Sequence, residues 1–161
     1  MCEWANISER RTERMVNPQL NEGLPPFLAT NPGIECGLMI AQYTAASIVS
    51  ENKVLAHPSS VDSIPTSGNQ EDHVSMGTTS ARQVRQIVHN AARVIAIEMI
   101  CASQAIHLDR AEQQLAPATS QFLQKVRAIC PPLTTDQPIG DEIEALANYL
   151  LTSDELVAMS K

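Results

Sequence analysis

Apolar residues recur along this 161-residue chain with the step of a helix, and no segment alternates as a strand would. Over 34–56, Leu38, Ala41, Ala45, Ile48, Asn52 and Leu55 follow alternating steps of three and four, with Gln42, Ser50, Glu51 and Lys53 elsewhere on the surface. His57-Pro58 ends that helix, because the residue before a proline is pushed out of the helical region. A longer pattern starts at 74–77 and runs to about 110. Val84, Val88, Ala91, Ile95, Glu98, Ala102 and Ala105 form one stripe, and Ile87, Val94, Cys101 and Leu108 recur beside it once per heptad. Between 94 and 106 the helix is apolar nearly all round, as a helix in the middle of a bundle is. Its thirty-odd residues span roughly 50 Å. Shorter helices are predicted over 118–129, where Cys130-Pro131-Pro132 stops the pattern, over 140–151, and over 154–159, with Thr152-Ser153-Asp154 supplying cap chemistry.

The gaps are as informative as the helices. Residues 1–33 read as irregular: Ser8-Glu9-Arg10-Arg11 can open a short turn, but Asn17-Pro18, Gly23-Leu24-Pro25-Pro26 and Asn31-Pro32-Gly33 break the chain repeatedly. So long a structureless lead is uncommon in an independent domain and is expected to lie as a strap over something outside the chain. Residues 57–76 form a loop rich in turn-formers, with 77–110 as the core helix and 111–161 as the C-terminal helices. The reading is an all-α fold: a long-helix bundle segment with an irregular N-terminal strap, part of a larger helical assembly.

Composition narrows this further. The chain is 43% apolar but only 3% aromatic, so its core is built from Ala, Val, Ile, Leu and Met, which suits close helix packing. A formal net charge of −7 leaves no basic stripe for nucleic acid. No long uncharged apolar stretch marks a membrane span, and the polar opening Met1-Cys2-Glu3-Trp4 is not that of a secretion signal. The cysteines at 2, 36, 101 and 130 form no CxxC pair, and the histidines at 57, 73, 89 and 107 never fall at helical ligand spacing, so no metal site is expected. Free thiols and the cytoplasm are the expectation.

The segment that carries chemistry is Ser50-Glu51-Asn52-Lys53, then His57-Pro58-Ser59-Ser60-Val61-Asp62-Ser63-Ile64-Pro65-Thr66-Ser67-Gly68-Asn69-Gln70-Glu71-Asp72-His73-Val74-Ser75-Met76-Gly77. It resembles the corresponding stretch of the aromatic amino acid ammonia-lyases, and within them the histidine-specific branch. Ile7-Ser8-Glu9-Arg10-Arg11, Val16-Asn17-Pro18, Gly23-Leu24-Pro25-Pro26-Phe27-Leu28 and Met39-Ile40-Ala41-Gln42-Tyr43-Thr44-Ala45-Ala46 carry the same resemblance, and Asp136-Gln137-Pro138 with Asp141-Glu142-Ile143-Glu144 extends it more loosely. It therefore covers essentially the whole chain.

The resemblance implies a tetrameric all-α lyase that converts L-histidine to trans-urocanate and ammonia in histidine catabolism. The electrophile is a methylidene-imidazolone ring formed from an Ala-Ser-Gly tripeptide, and a tyrosine from the N-terminal half removes the β-proton. This chain has no Ala-Ser-Gly, and neither Tyr43 nor Tyr149 matches the tyrosine loops. Thr66-Ser67-Gly68 is a tempting precursor, but the resemblance makes it part of a Thr-Ser-Ala-Asn-Gln-Glu loop with Gly68 in the alanine position. The ring is therefore expected in an N-terminal region outside these residues, and the chain by itself is expected to be inactive. Its expected partners are L-histidine, further copies of itself, or a complementary N-terminal lyase half.

By the same resemblance Glu71 lines the pocket and engages the substrate's imidazole, which is sound chemistry: a carboxylate accepts from an imidazole N–H and favours its cationic form. Gln70 is a further candidate for substrate binding, while Asn69, Asp72 and His73 are expected to support the loop. Glu98, an acid on the apolar stripe, is expected to be structural and either matched by a cation or protonated, since an unpaired buried carboxylate is costly. Two alternatives remain open: a helical assembly remnant without catalysis, and a phenylalanine or tyrosine lyase segment.

Overall fold

The computed structural model describes residues 1–61 and 64–153. Five α-helices are found among them: α1 (Cys2–Val16), α2 (Met39–Leu55), α3 (Gly77–Asp109), α4 (Pro117–Ile129) and α5 (Gly140–Thr152). Four short 3-10 turns fill the connections, and the described residues contain no strand beyond isolated bridges. The helix expected over 154–159, with the cap at Asp154, lies outside the described residues.

Helix α3 is the axis of the fold. Its 33 residues span roughly 50 Å, and α1, α2 and α5 pack along it, with α4 against its C-terminal half. Ala45 and Val49 of α2, Ala91, Val94, Ile97 and Cys101 of α3, and Leu146 and Ala147 of α5 close one continuous core. Alanines at these contacts let the helix axes approach closely, which a core almost without aromatic rings requires. By length and composition α3 could also cross a membrane, but it carries Arg93 and Glu98 within its apolar stretch and buries one face against its neighbours. Those are the features of a core helix.

Three expectations are corrected here. The lead is not irregular throughout, because Cys2–Val16 is helical. Its buried residues are Ala5, Ser8, Thr12 and Val16, at steps of three and four, so the period was present but half of it was written in hydroxyls. Thr12 Oγ1 donates to the Ser8 carbonyl at 3.0 Å, and Ser8 Oγ donates to Glu98 Oε2 at 2.6 Å, which makes a polar face fit to be buried. The strap that follows also has a body within this chain. Thr30 Oγ1 donates to the Leu133 carbonyl (3.1 Å), the backbone N–H groups of Cys36 and Gly37 donate to the Asp136 carboxylate (2.8 and 2.9 Å), and the buried Gln104 side chain exchanges hydrogen bonds with Leu133. Helix α2 accordingly starts at Met39 and not at 34, because positive φ at Gly33 and Gly37 turns the strap before the helix can begin.

The buried face of α3 is also rotated from the expected stripe. Val84 is 56% exposed and Ile95, Glu98 and Ala102 are half-buried, whereas Asn90, Ala91, Val94, Ile97, Cys101 and Gln104 are buried. The heptad row through Ile87, Val94 and Cys101 does lie inside. Glu98 is matched as expected: Arg11 Nε stands 2.9 Å from its Oε1.

The cysteines divide by position. Cys101 and Cys130 are buried, Cys2 is half-buried and Cys36 is exposed, all as free thiols. Burial pushes the Cys101 thiol up to about 12, with Glu98 and Cys130 adding to it, and burial with Glu142 pushes Cys130 up to about 11. Only thiolates alkylate readily. A thiol titration of the native chain is therefore expected to label Cys36 first and Cys2 more slowly, with Cys101 and Cys130 reacting only after denaturation. Labelling of Cys101 under native conditions would mean that α3 is not packed as described.

Candidate substrate-facing loop

Helix α2 stops at Leu55, and the chain re-enters helix at Gly77. Between them Ser59–Val61 makes one 3-10 turn, and Ser59 Oγ donates to Gln83 Oε1 on α3 at 2.8 Å, tying the first limb of the loop to the long helix. The second limb closes on itself. The Thr66 N–H donates to the Glu71 carbonyl at 2.8 Å, the Glu71 N–H returns to the Thr66 carbonyl at 3.3 Å, and the Gln70 N–H reaches the Ser67 carbonyl at 3.3 Å. The resulting tight turn has Ser67, Gly68 and Asn69 at φ of 53°, 66° and 67°, all left-handed. Two of the three are not glycine, so the turn holds a conformation that costs free energy.

Asn69, Gln70 and Glu71 share this turn, and Asp72 and His73 follow it; all five are exposed. His73 alone of the five lines a concavity at the start of α3, about 390 Å³, facing Ser59, Ser60, Val74, Ser75 and Met76. Glu71 is presented on the turn and not enclosed. Among the described residues no group of His, Cys, Asp and Glu is arranged to hold a metal ion. A side chain at Gly68 would meet nothing within 4 Å, so alanine has room there and only the backbone conformation opposes it.

Cyclisation of Thr66-Ser67-Gly68 would join the Gly68 nitrogen to the Thr66 carbonyl carbon; in this chain that carbonyl accepts from the Glu71 N–H at 3.3 Å and the three residues are exposed. Two contacts escaped the sequence reading: Ser59 with Gln83, and Asn52, whose Oδ1 accepts from Asn90 Nδ2 at 2.9 Å. Gln83 carried no signal, while Asn52, a polar residue on an otherwise apolar stripe, did.

Residues 1–128 match the family model of the aromatic amino acid lyases. The chain belongs to the aromatic amino acid lyase family. Relatives make the placement finer. The chain is 61% identical over 150 residues to a histidine ammonia-lyase of Geobacillus kaustophilus, covering 93% of this chain and 30% of that protein. It is 58% identical over 158 residues to a histidine ammonia-lyase of Symbiobacterium thermophilum, covering 98% of this chain and 31% of that protein. Among solved structures, histidine ammonia-lyase from Trypanosoma cruzi superposes with a TM-score of 0.86 at 44% identity, over 97% of this chain and 30% of that one. Tyrosine aminomutase from Streptomyces globisporus reaches 0.91 at 34% identity, over 99% and 30%. This lyase chain thus spans about 30% of the length of the curated relatives it matches. Its helices are those of the lyase fold.

Proposed function

We propose that this chain is the C-terminal segment of a histidine ammonia-lyase, which eliminates ammonia from L-histidine to give trans-urocanate. The observation that carries the reading is the 61% identity to a histidine ammonia-lyase over nearly the whole chain, against 34% to the tyrosine aminomutase of equal fold. In this proposal Glu71, with Gln70 beside it, faces the imidazole of a substrate held between this loop and other parts of the enzyme. Asn69, Asp72 and His73 shape the loop. The electrophile is a methylidene-imidazolone supplied by an Ala-Ser-Gly tripeptide outside these residues. Further copies of the chain or a complementary lyase half complete the site, since the turn alone encloses nothing.

The test is complementation. The 161-residue chain is purified alone, and again with a polypeptide carrying the remaining part of a histidine ammonia-lyase, and each is assayed for urocanate by its ultraviolet absorbance. No product from the chain alone and clear product from the combination are expected. Turnover by the chain alone would overturn the placement of the electrophile. Product from phenylalanine or tyrosine but not histidine would move the chain to another branch of the family. Silence of the combination, with both parts folded and associated, would favour a helical assembly remnant without catalysis.

A further inference from the structure

The contact between α2 and α3 changes character along its length. Toward the middle it is apolar, with Ala45 and Val49 in the same core as Ala91 and Val94. Toward the loop it becomes a line of side-chain amides. Gln83, Gln86 and Asn90 stand at steps of three and four, on one face of α3. Gln83 accepts from Ser59, just beyond the end of α2. Asn90 Nδ2 donates to Asn52 Oδ1 at 2.9 Å and to Glu51 Oε2 at 2.7 Å, both in the last part of α2. Its Oδ1 accepts from Gln86 Nε2 at 3.0 Å and lies 3.5 Å from Arg93 Nη1, and Arg93 in turn grips Glu144 of α5 at 2.7 and 3.1 Å. Asn52 and Asn90 are each 1% exposed, and Asn52 Nδ2 has no partner among the described residues.

A buried amide pair is a poor way to gain stability, because each group must be stripped of water and one here is left unmatched. Apolar contact would hold the two helices together at least as well, but it is non-directional and tolerates sliding. Hydrogen bonds fix distance and angle. This pair sits where a small slide matters most, at the end of α2 from which the chain departs toward Glu71. We infer that Asn90 is a positioning residue for Glu71, setting the root of its loop through Asn52 and Glu51 while Gln83 holds the first limb through Ser59. The inference rests on the reading of Glu71 given above.

Two measurements test it. The first is amide hydrogen exchange on the 161-residue chain, comparing wild type, Asn90→Ala and Gln83→Ala. Exchange is expected to quicken across 57–76 and to stay unchanged across 94–104, where the core of α3 lies; either variant suffices should the other fail to fold. Unchanged exchange in the loop, or equal quickening in both regions, overturns the positioning role. The second is a double-mutant cycle in the complemented enzyme. Asn90→Ala is expected to lower kcat/KM for histidine about tenfold in the native background and less than about twofold when Glu71 is already alanine, because residues acting through one another are not additive. Equal losses in both backgrounds sink the inference while leaving Glu71 in place. Should Glu71→Ala itself be silent, the reading of Glu71 falls, and the exchange data alone decide whether Asn90 sets the loop.

Discussion

Glu71→Gln in the complemented enzyme is expected to lower kcat/KM for histidine by about tenfold to a hundredfold, since a hydrogen bond to a charged group contributes about 1.5–3 kcal/mol. Glutamine keeps the shape and one acceptor oxygen but removes the charge that favours a cationic imidazole. Glu71→Ala should cost more, because it also leaves the imidazole N–H without a partner. The structure makes these substitutions clean. Glu71 closes its turn with backbone N–H and carbonyl, both paired with Thr66, so changing the side chain leaves the turn intact. Its side chain is exposed in the chain itself, so neither change opens a cavity. Folding of the variants, followed by thermal melting, should therefore match the parent. Asp72→Asn is the control and should have the smaller effect, because Asp72 belongs to the approach to α3. If Glu71→Gln retains full kcat/KM while Asp72→Asn abolishes it, the wrong carboxylate has been assigned. If both are silent, the loop has no part in choosing histidine.

How far the fold could be read in advance depended on what each buried face is made of. Helices α2, α4 and α5 and the length of α3 follow from apolar spacing, which is visible wherever the inward side chains are aliphatic. Helix α1 was hidden because Ser8 and Thr12 turn inward. They are tolerated there only because Glu98 and backbone carbonyls on other turns accept their protons. The face of α3 was mis-centred for the complementary reason: Asn90 and Gln104 are buried in networks spanning three elements, while Val84 is left open. Which side of an apolar helix faces inward is settled by its partners, not by its own sequence. The loop's extent was legible in its turn-formers, but its role was found through the resemblance to a family and not through a physical signal. Nothing in the local sequence announces that Ser59 reaches Gln83, because that contact depends on where α3 runs.

Gly37→Ala is expected to be the most damaging single-methyl addition in the chain, destabilising it by about 3 kcal/mol or more. Gly37 has a φ of +54°, which a side chain opposes on its own account. The larger part is steric. A Cβ at this position would lie 2.5 Å from the Phe27 carbonyl oxygen, 2.9 Å from the Ala29 nitrogen and 3.0 Å from the Ala29 Cα. All three are backbone atoms, so no side chain can swing aside. The Phe27 carbonyl is itself fixed, accepting from the Leu38 N–H at 2.8 Å, and the Gly37 N–H is held by Asp136. Relief of the clash therefore means lifting the strap off the start of α2, breaking those hydrogen bonds and uncovering Leu28 and Leu38, each 1% exposed. Gly33→Ala separates the two causes. Gly33 has a φ of +92° but meets nothing within 4 Å, so only the conformational cost applies, about 1 kcal/mol. Thermal or urea unfolding of the two variants measures the difference directly. Equal losses would mean that the strap yields without breaking its hydrogen bonds, and that Gly37 is needed for its φ alone.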